Sequence, residues 1–390
     1  MNLEGIQKQL QAEGIDGWLF YDHHGRDPIA YRVLGMKVGH VSRRWYYFIP
    51  AEGEPRKLAH RIEPRQLDSL PGERTLYSGW QELRDSLRAL VGGAKRVAMQ
   101  YSPEGMIPYV SLVDGGALDL VRSLGVEVMT SASLVQYFEA RWTDAQRQMH
   151  LEAARLVDET LDEAFELIGK RIQSHGMIAE FAVAEFIRER FAERNLVTDA
   201  GPIVGVGPNS GDPHYNPSAT RSMEIQPGAF VLIDLWAKLQ QPESVFYDIT
   251  WTGYCGETPP EEVQKVFEVV TGARDRALAH ADKAIKEGRE VKGFELDDVA
   301  RGFITENGYG EAFVHRLGHS IGESVHGNGA NLDNLETHDD RPLIPRTCFS
   351  IEPGVYLPEF GVRSEIDCYV SETGAAATSR VQKEIVRIGG

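Results

Sequence analysis

The stretch Val231-Leu232-Ile233-Asp234-Leu235-Trp236 is an apolar run of strand-forming residues that carries a single carboxylate. Fourteen residues further on, Asp248 occupies a similar place in Val245-Phe246-Tyr247-Asp248-Ile249-Thr250. An isolated carboxylate buried among apolar groups is costly, so buried acids are usually paired with a cation or bound to a metal. The two runs therefore predict a pair of β-strands whose acids have a cationic partner elsewhere in the fold.

A second pair of strands with the same character follows about a hundred residues later. Glu352 comes directly after Phe349-Ser350-Ile351, and Glu365 lies in Gly361-Val362-Arg363-Ser364-Glu365-Ile366-Asp367. One such acid is readily explained by a structural salt bridge. Four acids in two matched strand pairs favour a shared cation.

Two histidines four residues apart lie between the strand pairs, in His315-Arg316-Leu317-Gly318-His319-Ser320-Ile321-Gly322. In a helix this spacing would place both on one face, as in a helical zinc site. Gly318 and Gly322 disfavour a helix, and no glutamate follows His315 as the helical protease motif requires. The segment is therefore predicted to be a loop or strand that presents one histidine.

Four carboxylates and one imidazole form an oxygen-rich set of ligands. Such a set favours Mn²⁺, Co²⁺, Fe²⁺ or Zn²⁺ over a copper or iron–sulfur centre, and it has enough carboxylate oxygens to bridge two ions. The alternative, a group of purely structural acids, stays open at this point.

The character of the sequence changes near Arg141, which predicts two domains of α/β (α+β) class. Segments typical of strands and helices alternate before this point, as in a small α/β domain. After it, the chain runs twice through one order of elements, two helices and then a strand pair. Within the first domain, residues 43–48 (Arg-Arg-Trp-Tyr-Tyr-Phe) predict a strand with charged ends. The alternative is a surface that reaches toward an active site.

Local signals place the elements of the second domain. Thr143-Asp144-Ala145-Gln146 has the form of a capping box and predicts the start of a long amphipathic helix. Thr258-Pro259-Pro260-Glu261 predicts the start of another, with proline in its first turn. The remaining predictions are helices over 178–191 and 296–306 and strands over 230–237, 245–254, 348–357 and 362–370.

The composition disfavours several classes of function. The chain has 390 residues, 58 acidic against 41 basic, and its net charge of −17 disfavours nucleic acid and membrane surfaces as partners. Three widely spaced cysteines without a CxxC pair argue against a disulfide framework. The first residues lack the basic start and apolar stretch of a secretion signal, and no apolar run approaches the ~18 residues of a membrane span. We therefore expect a cytoplasmic protein.

Five motifs in a fixed order make the sequence similar to a known family. They are LIDLWA (232–237), YDITWTG (247–253), HRLGHSIGESVHG (315–327), FSIEPGVYL (349–357) and GVRSEID (361–367). The chain thereby resembles metallopeptidase family M24, which includes methionine aminopeptidase, prolidase and aminopeptidase P. The resemblance implies a domain like the N-terminal domain of the creatinase, prolidase and aminopeptidase P branch over 1–137. Over 138–390 it implies a pita-bread catalytic domain, with an antiparallel sheet and flanking helices in a pseudo-duplicated arrangement.

Carried over position by position, the resemblance implies five ligands for two divalent metal ions. Asp234 would bind one ion, and His319 with Glu352 would bind the other. Asp248 and Glu365 would bridge the two. Glu352 would also take and pass on a proton during catalysis. Mn²⁺ is the expected metal, with Co²⁺, Zn²⁺ or Fe²⁺ as alternatives.

Four further residues match positions around the family's active site. His326 matches a contact of the substrate carbonyl, His214 a histidine near the scissile peptide, and His315 a wall of the pocket. Arg363, two residues before Glu365, is expected to orient that carboxylate.

The resemblance implies an exopeptidase that cleaves the first bond of a small Xaa-Pro peptide, of prolidase or aminopeptidase P type, and that forms a homodimer or higher homo-oligomer. The alternative is a hydrolase or lyase of this fold acting on a non-proline amide or another small substrate. Departures from the family support it: Trp251 stands where arginine is common, and Arg346 stands where glycine is usual. A dipeptidase also needs a cation for the product carboxylate, for which Arg341, Arg346 and Arg363 are candidates.

Overall fold

The computed structural model describes residues 1–389, and the chain divides into two compact units, Met1–Glu139 and Ala140–Gly390. Each unit has its own hydrophobic clusters. The three cysteines are buried and form no disulfide. Within residues 1–389, no helix combines the length and the apolar character that crossing a membrane requires.

The amino-terminal unit is built on a six-stranded mixed sheet with the order β4-β3-β2-β1-β5-β6. Its strands are β1 (Gly17–Asp22), β2 (Trp45–Pro50), β3 (Arg56–His60), β4 (Glu73–Tyr77), β5 (Arg96–Met99) and β6 (Glu127–Thr130). Its helices are α1 (Leu3–Glu13), α2 (Pro28–Leu34), α3 (Trp80–Val91), α4 (Gly115–Arg122) and the single turn α5 (Ala132–Val135).

Alternation along the strands separates two cores on the faces of this sheet. Trp18, Phe20 and Trp45 face the cluster that includes α1 and α2. Leu19 and Tyr46 face the cluster that includes α3 and α4. Because neighbouring side chains of a strand point to opposite faces, the apolar runs of β1 and β2 supply both layers. The predicted α/β class is confirmed.

The second unit repeats one order of elements, as predicted. Its helices are α6 (Asp144–His175), α7 (Glu180–Glu193), α8 (Glu261–Lys286) and α9 (Gly293–Glu306). Its strands are β7 (Ile178–Ala179), β8 (Leu196–Val197), β9 (Ile203–Val206), β10 (Glu224–Ile225), β11 (Phe230–Leu239), β12 (Tyr247–Tyr254), β13 (Ser320–Ile321), β14 (Cys348–Ile351), β15 (Gly354–Tyr356), β16 (Gly361–Arg363), β17 (Ile366–Ser371), β18 (Gly374–Ala377) and β19 (Val386–Arg387). The helix pair α6–α7 precedes the β11–β12 hairpin, and α8–α9 precedes the strands from β14 to β17.

Two of the local predictions for helix starts had different outcomes. The capping box is confirmed at Thr143, whose side chain accepts from the N–H of Gln146 while Gln146 reaches back to the cap. A long helix, α8, does start within Thr258–Glu261 as predicted, but it begins at Glu261 with Pro260 in the cap position and no side-chain cap, so the predicted cap at Thr258 is wrong. Two consecutive prolines keep the preceding chain extended, which delays the helix.

The two long strands predicted near the carboxyl end are each broken. The segment 348–357 forms β14 and β15, and 362–370 is divided between β16 and β17. Pro353 has no N–H to donate to a sheet, so the ladder cannot run through this position. The breaks fall at Glu352 and Glu365, which frees their backbone for contacts outside their own hairpin.

Candidate metal centre

The first hairpin brings two acids to one face. In the β11–β12 ladder, Asp234 pairs with Thr250 and Trp236 pairs with Asp248. Paired residues of an antiparallel ladder point to the same side, and side chains repeat every two residues. Asp234 and Asp248 therefore project from the same face of the sheet, and both are buried.

The second hairpin places its acids opposite each other. Ile351 pairs with Ile366 in one ladder, and Gly354 pairs with Arg363 in the next. The two ladders share one register. Continued across the break that separates them, this register places Glu352 opposite Glu365. The N–H of Glu365 donates to the carbonyl of Thr250 at 3.1 Å, which ties this gap to the first hairpin.

Three side-chain hydrogen bonds also join the two hairpins. The Thr250 hydroxyl donates to Glu365 Oε2 at 2.7 Å. The N–H of Asp248 donates to Asp367 Oδ2 at 2.9 Å. Arg363 Nη2 donates to Asp234 Oδ2 at 2.5 Å. The acids of both strand pairs thus lie in one connected, buried group.

His319 joins this group from an extended segment that leads into β13, as the glycines around it predicted. Its Nε2 lies 3.3 Å from Glu352 Oε1 and 3.6 Å from Asp248 Oδ2. The backbone here passes so close to the second hairpin that a Cβ on Gly318 would stand 2.0 Å from the carbonyl oxygen of Ser350. Only glycine allows this approach, and it sets the position of the next side chain.

Burial shifts the protonation of the whole group. Burial and the charges of Glu365 and Asp234 raise the pKa of Asp248 well above its usual range. The pKa of Glu365 is raised in the same way by burial and by Glu352. Burial lowers the pKa of His319 well below its usual range, so its imidazole is neutral and keeps a lone pair to donate to a cation.

The group fits a divalent metal ion. Ligand atoms of Asp248, His319 and Glu365 all lie within 4.8 Å of one another. Asp248 Oδ1 is buried and has no hydrogen-bond partner within residues 1–389. A buried oxygen without a partner is costly, and a cation would satisfy it. Oxygen and imidazole donors together suit Mn²⁺, Co²⁺, Fe²⁺ or Zn²⁺.

Arg363 contacts a different carboxylate from the one expected. Besides Asp234, its guanidinium donates to the hydroxyl of Thr250 at 3.0 Å and to that of Tyr356 at 2.9 Å. It makes no hydrogen bond to Glu365 within the described residues. Strand residues two apart share a face, but the break between β16 and β17 separates Arg363 from Glu365 and turns the arginine toward β11.

The structure places the three remaining histidines differently from one another. His326 packs edge-on against His319, with ring centroids 4.2 Å apart, and is exposed to solvent. His315 Nε2 lies 2.7 Å from the hydroxyl of Tyr356. His214 is exposed in the loop after the short 3₁₀ helix Gly207–Gly211, close enough for its charge to act on Asp234.

Two of the arginines considered for a product carboxylate already have partners. Arg341 is buried and donates to Asp339 and to the carbonyl oxygens of Asn328 and Gly329. Arg346 donates to the carbonyl of Trp142 and to Asp144. Both therefore have a structural role. Arg363 is likewise held by Asp234.

Sequence reasoning missed some residues of the site. The hydroxyl of Thr250 donates to Glu365 of the other hairpin. In the same way, Asp367 accepts the N–H of Asp248. The positive charge of Arg316 lowers the pKa of His319, after burial and His326, so it lies near the site. The signal for Asp367 was present, since this third acid stands two residues after Glu365 in the last motif.

Comparison with known proteins agrees with this geometry. The profile of metallopeptidase family M24 matches residues 148–372. An Xaa-Pro dipeptidase of Lactobacillus delbrueckii subsp. lactis is 34% identical over 241 residues, which cover 61% of this chain and 60% of the relative. A probable dipeptidase PepE of Mycobacterium bovis is 31% identical over 368 residues, covering 91% of this chain and 88% of that one.

Solved structures show the same fold. The crystal structure of dipeptidase PepE from Mycobacterium ulcerans superposes with a TM-score of 0.72 and 22% identity, covering 99% of this chain and 97% of that one. The dipeptidase structure from Pyrococcus horikoshii has a TM-score of 0.64 and 25% identity, covering 99% of both chains. The alignment with the Lactobacillus enzyme, by contrast, spans only 60% of that enzyme's length.

Proposed function

Because the chain belongs to metallopeptidase family M24, we propose that it is an exopeptidase that uses two divalent metal ions to cleave the first bond of small Xaa-Pro peptides. The observation that carries this proposal is the convergence of Asp248, His319 and Glu365 around a buried carboxylate oxygen without a partner. The relatives named above as dipeptidases support the class of substrate.

The five ligands divide between the two ions as the resemblance implies. Asp234 would bind one ion, His319 and Glu352 would bind the other, and Asp248 and Glu365 would be shared. Divalent ions in such a site supply Lewis acidity, which polarises a carbonyl and lowers the pKa of water from 15.7 to about 7. We propose Mn²⁺ as the native ion.

Other groups in the site hold these ligands in place. Arg363 holds one oxygen of Asp234. The Thr250 hydroxyl does the same for Glu365. Such a hydrogen bond from a neighbouring residue fixes the orientation of the ligand. Losing it typically lowers metal affinity about 10- to 100-fold.

Glu352 is the acid best placed to exchange a proton with substrate. Its side chain is 16% exposed, against 7% for Asp248. Its Oε1 accepts from the Ser350 hydroxyl at 3.0 Å, which orients the carboxyl group. Burial raises its pKa to about 7 in the protein without metal, so its proton is exchangeable near neutral pH.

The histidines line the side on which substrate would bind. We assign His326 and His214, both exposed to solvent, to the substrate carbonyl and the departing amine. The Tyr356 hydroxyl is held between His315 at 2.7 Å and Arg363 at 2.9 Å. The ring of Tyr356 is thereby fixed as a flat surface against which a proline ring can rest.

The first experiment compares substrates. We expect kcat/KM of the Mn²⁺-loaded protein for Ala-Pro or Ala-Pro-Xaa to exceed that for Ala-Ala or Ala-Ala-Xaa by at least about tenfold, or ~1.4 kcal/mol in the transition state. Equal rates on both sets would favour the alternative, another amide as substrate. The dipeptide and tripeptide arms together distinguish a prolidase from an aminopeptidase P.

The second arm of the test concerns the metals. Asp248→Asn removes a shared ligand, so we expect elemental analysis to find both ions depleted and Ala-Pro cleavage lost. Asp85→Asn, which removes an exposed acid of α3, is the charge-matched control and should keep metal and activity. Two ions retained by Asp248→Asn would overturn the ligand assignment.

We further propose that the protein acts in the cytoplasm as a homodimer or higher homo-oligomer. This rests on the resemblance to family M24. Light scattering coupled to size-exclusion chromatography measures the assembly directly. A monomer at micromolar concentration with full activity would contradict it.

A further inference from the structure

The amino-terminal unit contains a cleft that shares no residue with the proposed metal centre. Its volume is about 720 Å³, and Arg26, Arg43 and Arg44 line it together with His23 and His60. The chain as a whole carries a net charge of −17. The concave surface with its three guanidinium groups is therefore a basic patch on a protein whose net charge is negative.

The arginines of this cleft have no carboxylate partner within 4 Å among residues 1–389, although the charge of Asp114 acts on Arg44. Other arginines of the unit, Arg32, Arg61 and Arg74, have carboxylate partners within 4 Å. Arg26, Arg43 and Arg44 form no such ion pair in the described chain. The guanidinium of Arg43 donates only to its neighbour Ser42. Unpaired guanidinium groups that converge on one concave surface are expected to attract an anion.

The single acid of the cleft is already occupied. Asp114 Oδ1 accepts the N–H of Ala117 at 2.9 Å and so caps α4. Asp114 Oδ2 accepts the hydroxyl of Tyr21 at 2.7 Å. Both carboxylate oxygens are held in these contacts, and Asp114 forms no ion pair with the arginines.

The cleft has a fixed framework around Arg44. The Tyr77 hydroxyl donates to the carbonyl oxygen of Arg44 at 2.7 Å, which anchors the backbone at this point. The hydroxyl of Tyr46 is buried and lies close enough to Arg44 for the guanidinium to act on it. Burial and the positive charges of His24, Arg26 and Arg44 lower the pKa of His23, as expected where the local field is positive.

We propose that this cleft binds the phosphate group of a small ligand. Guanidinium groups bind phosphate through paired hydrogen bonds. Three of them together match a doubly charged phosphate group better than they match a singly charged carboxylate ligand. Trp80 lies on the lining and is 68% exposed, so its ring offers a flat surface for a ring attached to the phosphate.

The test is isothermal titration of the whole protein with inorganic phosphate at constant ionic strength. We expect saturable binding that Arg44→Gln weakens at least tenfold. Arg65→Gln removes an exposed arginine of the same unit that is not part of the cleft, and should bind phosphate as the wild type does. Equal affinity in all three proteins, with unchanged circular dichroism and melting temperature, would overturn the proposal.

A second titration separates this cleft from the proposed metal centre, which is another place where phosphate can bind. Phosphate held by the cleft should bind Asp248→Asn with the wild-type affinity. Binding that is lost in Asp248→Asn and kept in Arg44→Gln would contradict the assignment.

A third titration tests the role of Trp80. Phenyl phosphate should bind more tightly than phosphate, and Trp80→Ala should remove that difference. An unchanged difference would exclude Trp80 from the site.

Discussion

Asp27 in the amino-terminal unit carries a carboxyl group that burial holds toward its neutral form. It caps α2, since its Oδ1 accepts the N–H of Ala30 at 2.9 Å. Its other oxygen is buried without a partner in the described chain. Burial, with a smaller contribution from Asp22, raises the pKa of Asp27 to about 7.

The raised pKa predicts a loss of stability with rising pH. The unfolded chain releases this proton near pH 4, and the folded protein holds it until about pH 7. The contribution of the Asp27 carboxyl group to the free energy of unfolding is therefore fully present below pH 4 and is lost as pH rises toward 7. Asp27→Asn keeps the cap without a titrating group. We expect its free energy of unfolding, relative to wild type, to increase by ~1–4 kcal/mol between pH 4 and 7.

A matched control exists in the same unit. Asp114 also caps a helix, but the hydrogen bonds from Tyr21 and Ala117 outweigh burial and lower its pKa. Asp114→Asn should therefore reduce stability at pH 7, the opposite sign from Asp27→Asn. Urea denaturation across this pH range measures both. A parallel pH dependence in the wild type and Asp27→Asn would show that Asp27 is ionised in the folded protein.

The role of Arg346 could not be predicted from the sequence. Its φ of +73° is the backbone conformation that glycine adopts without cost, which explains why a glycine is usual at this position in the family. Here the side chain gains hydrogen bonds to Trp142 and Asp144. These partners lie about two hundred residues away, so the sequence suggested a free cation for substrate instead.

At the scale of elements, the junction between β12 and β17 sets the position of Asp248, the proposed shared ligand. Asp367 accepts the N–H of Asp248, and His150 of α6 contacts the carbonyl oxygen of Phe246 in the same segment. We expect Asp367→Ala to weaken metal binding about 10- to 100-fold, the usual effect of losing a contact behind a ligand. Asp367→Asn keeps an acceptor oxygen and should retain most of the affinity. Competition with a fluorescent chelator measures both.

The same strand offers a control. Gln382 accepts the N–H of Thr252 at 3.0 Å, four residues beyond Asp248 on β12. Gln382→Ala removes a similar buried acceptor and should lower the melting temperature without changing metal affinity. If both alanine variants lose metal equally, the effect is general loosening of the strand, and Asp367 has no special role.

Much of the element order was predictable because it is written in local patterns. The capping box at Thr143 and the apolar strands around Asp234 and Asp248 depend on neighbours in sequence. What could not be predicted depends on distant partners. The turn of Arg363 toward Asp234 requires knowledge of a contact 129 residues away. The ligand roles themselves stay predictions, supported by the convergence of the acids.

At the scale of the whole molecule, the buried carboxylates make stability depend on the metal. Burial raises the pKa values of Asp248 and Glu365 well above their usual range, and that of Glu352 to about 7. The stability they contribute is therefore present at low pH and lost as pH rises. At pH 6.5 the histidines of the unfolded chain are about half protonated while the buried ones are neutral, which adds a small opposite change just above this pH; the larger pKa shifts of the acids set the trend up to pH 8.

We therefore expect the chelated protein to melt at a lower temperature at pH 8 than at pH 6.5. Metal at 100 times its dissociation constant should restore ~2.7 kcal/mol, and the loaded protein should show a smaller change with pH. Scanning calorimetry at both pH values, with and without Mn²⁺, measures this. A chelated protein whose melting temperature is flat or rises over this range would contradict the assignment of buried, mutually repelling acids.

The links between the two hairpins also have a consequence during synthesis. Thr250 and Glu365 are 115 residues apart, so a ribosome adding ~5–20 residues per second completes the second hairpin about 6–23 s after the first. Throughout that interval the nascent chain exposes Asp234 and Asp248 without the arginine and the carboxylate that later hold them. We expect these two carboxylates to stay hydrated, so the face of the first hairpin that carries them remains in contact with water until the second hairpin has been synthesised.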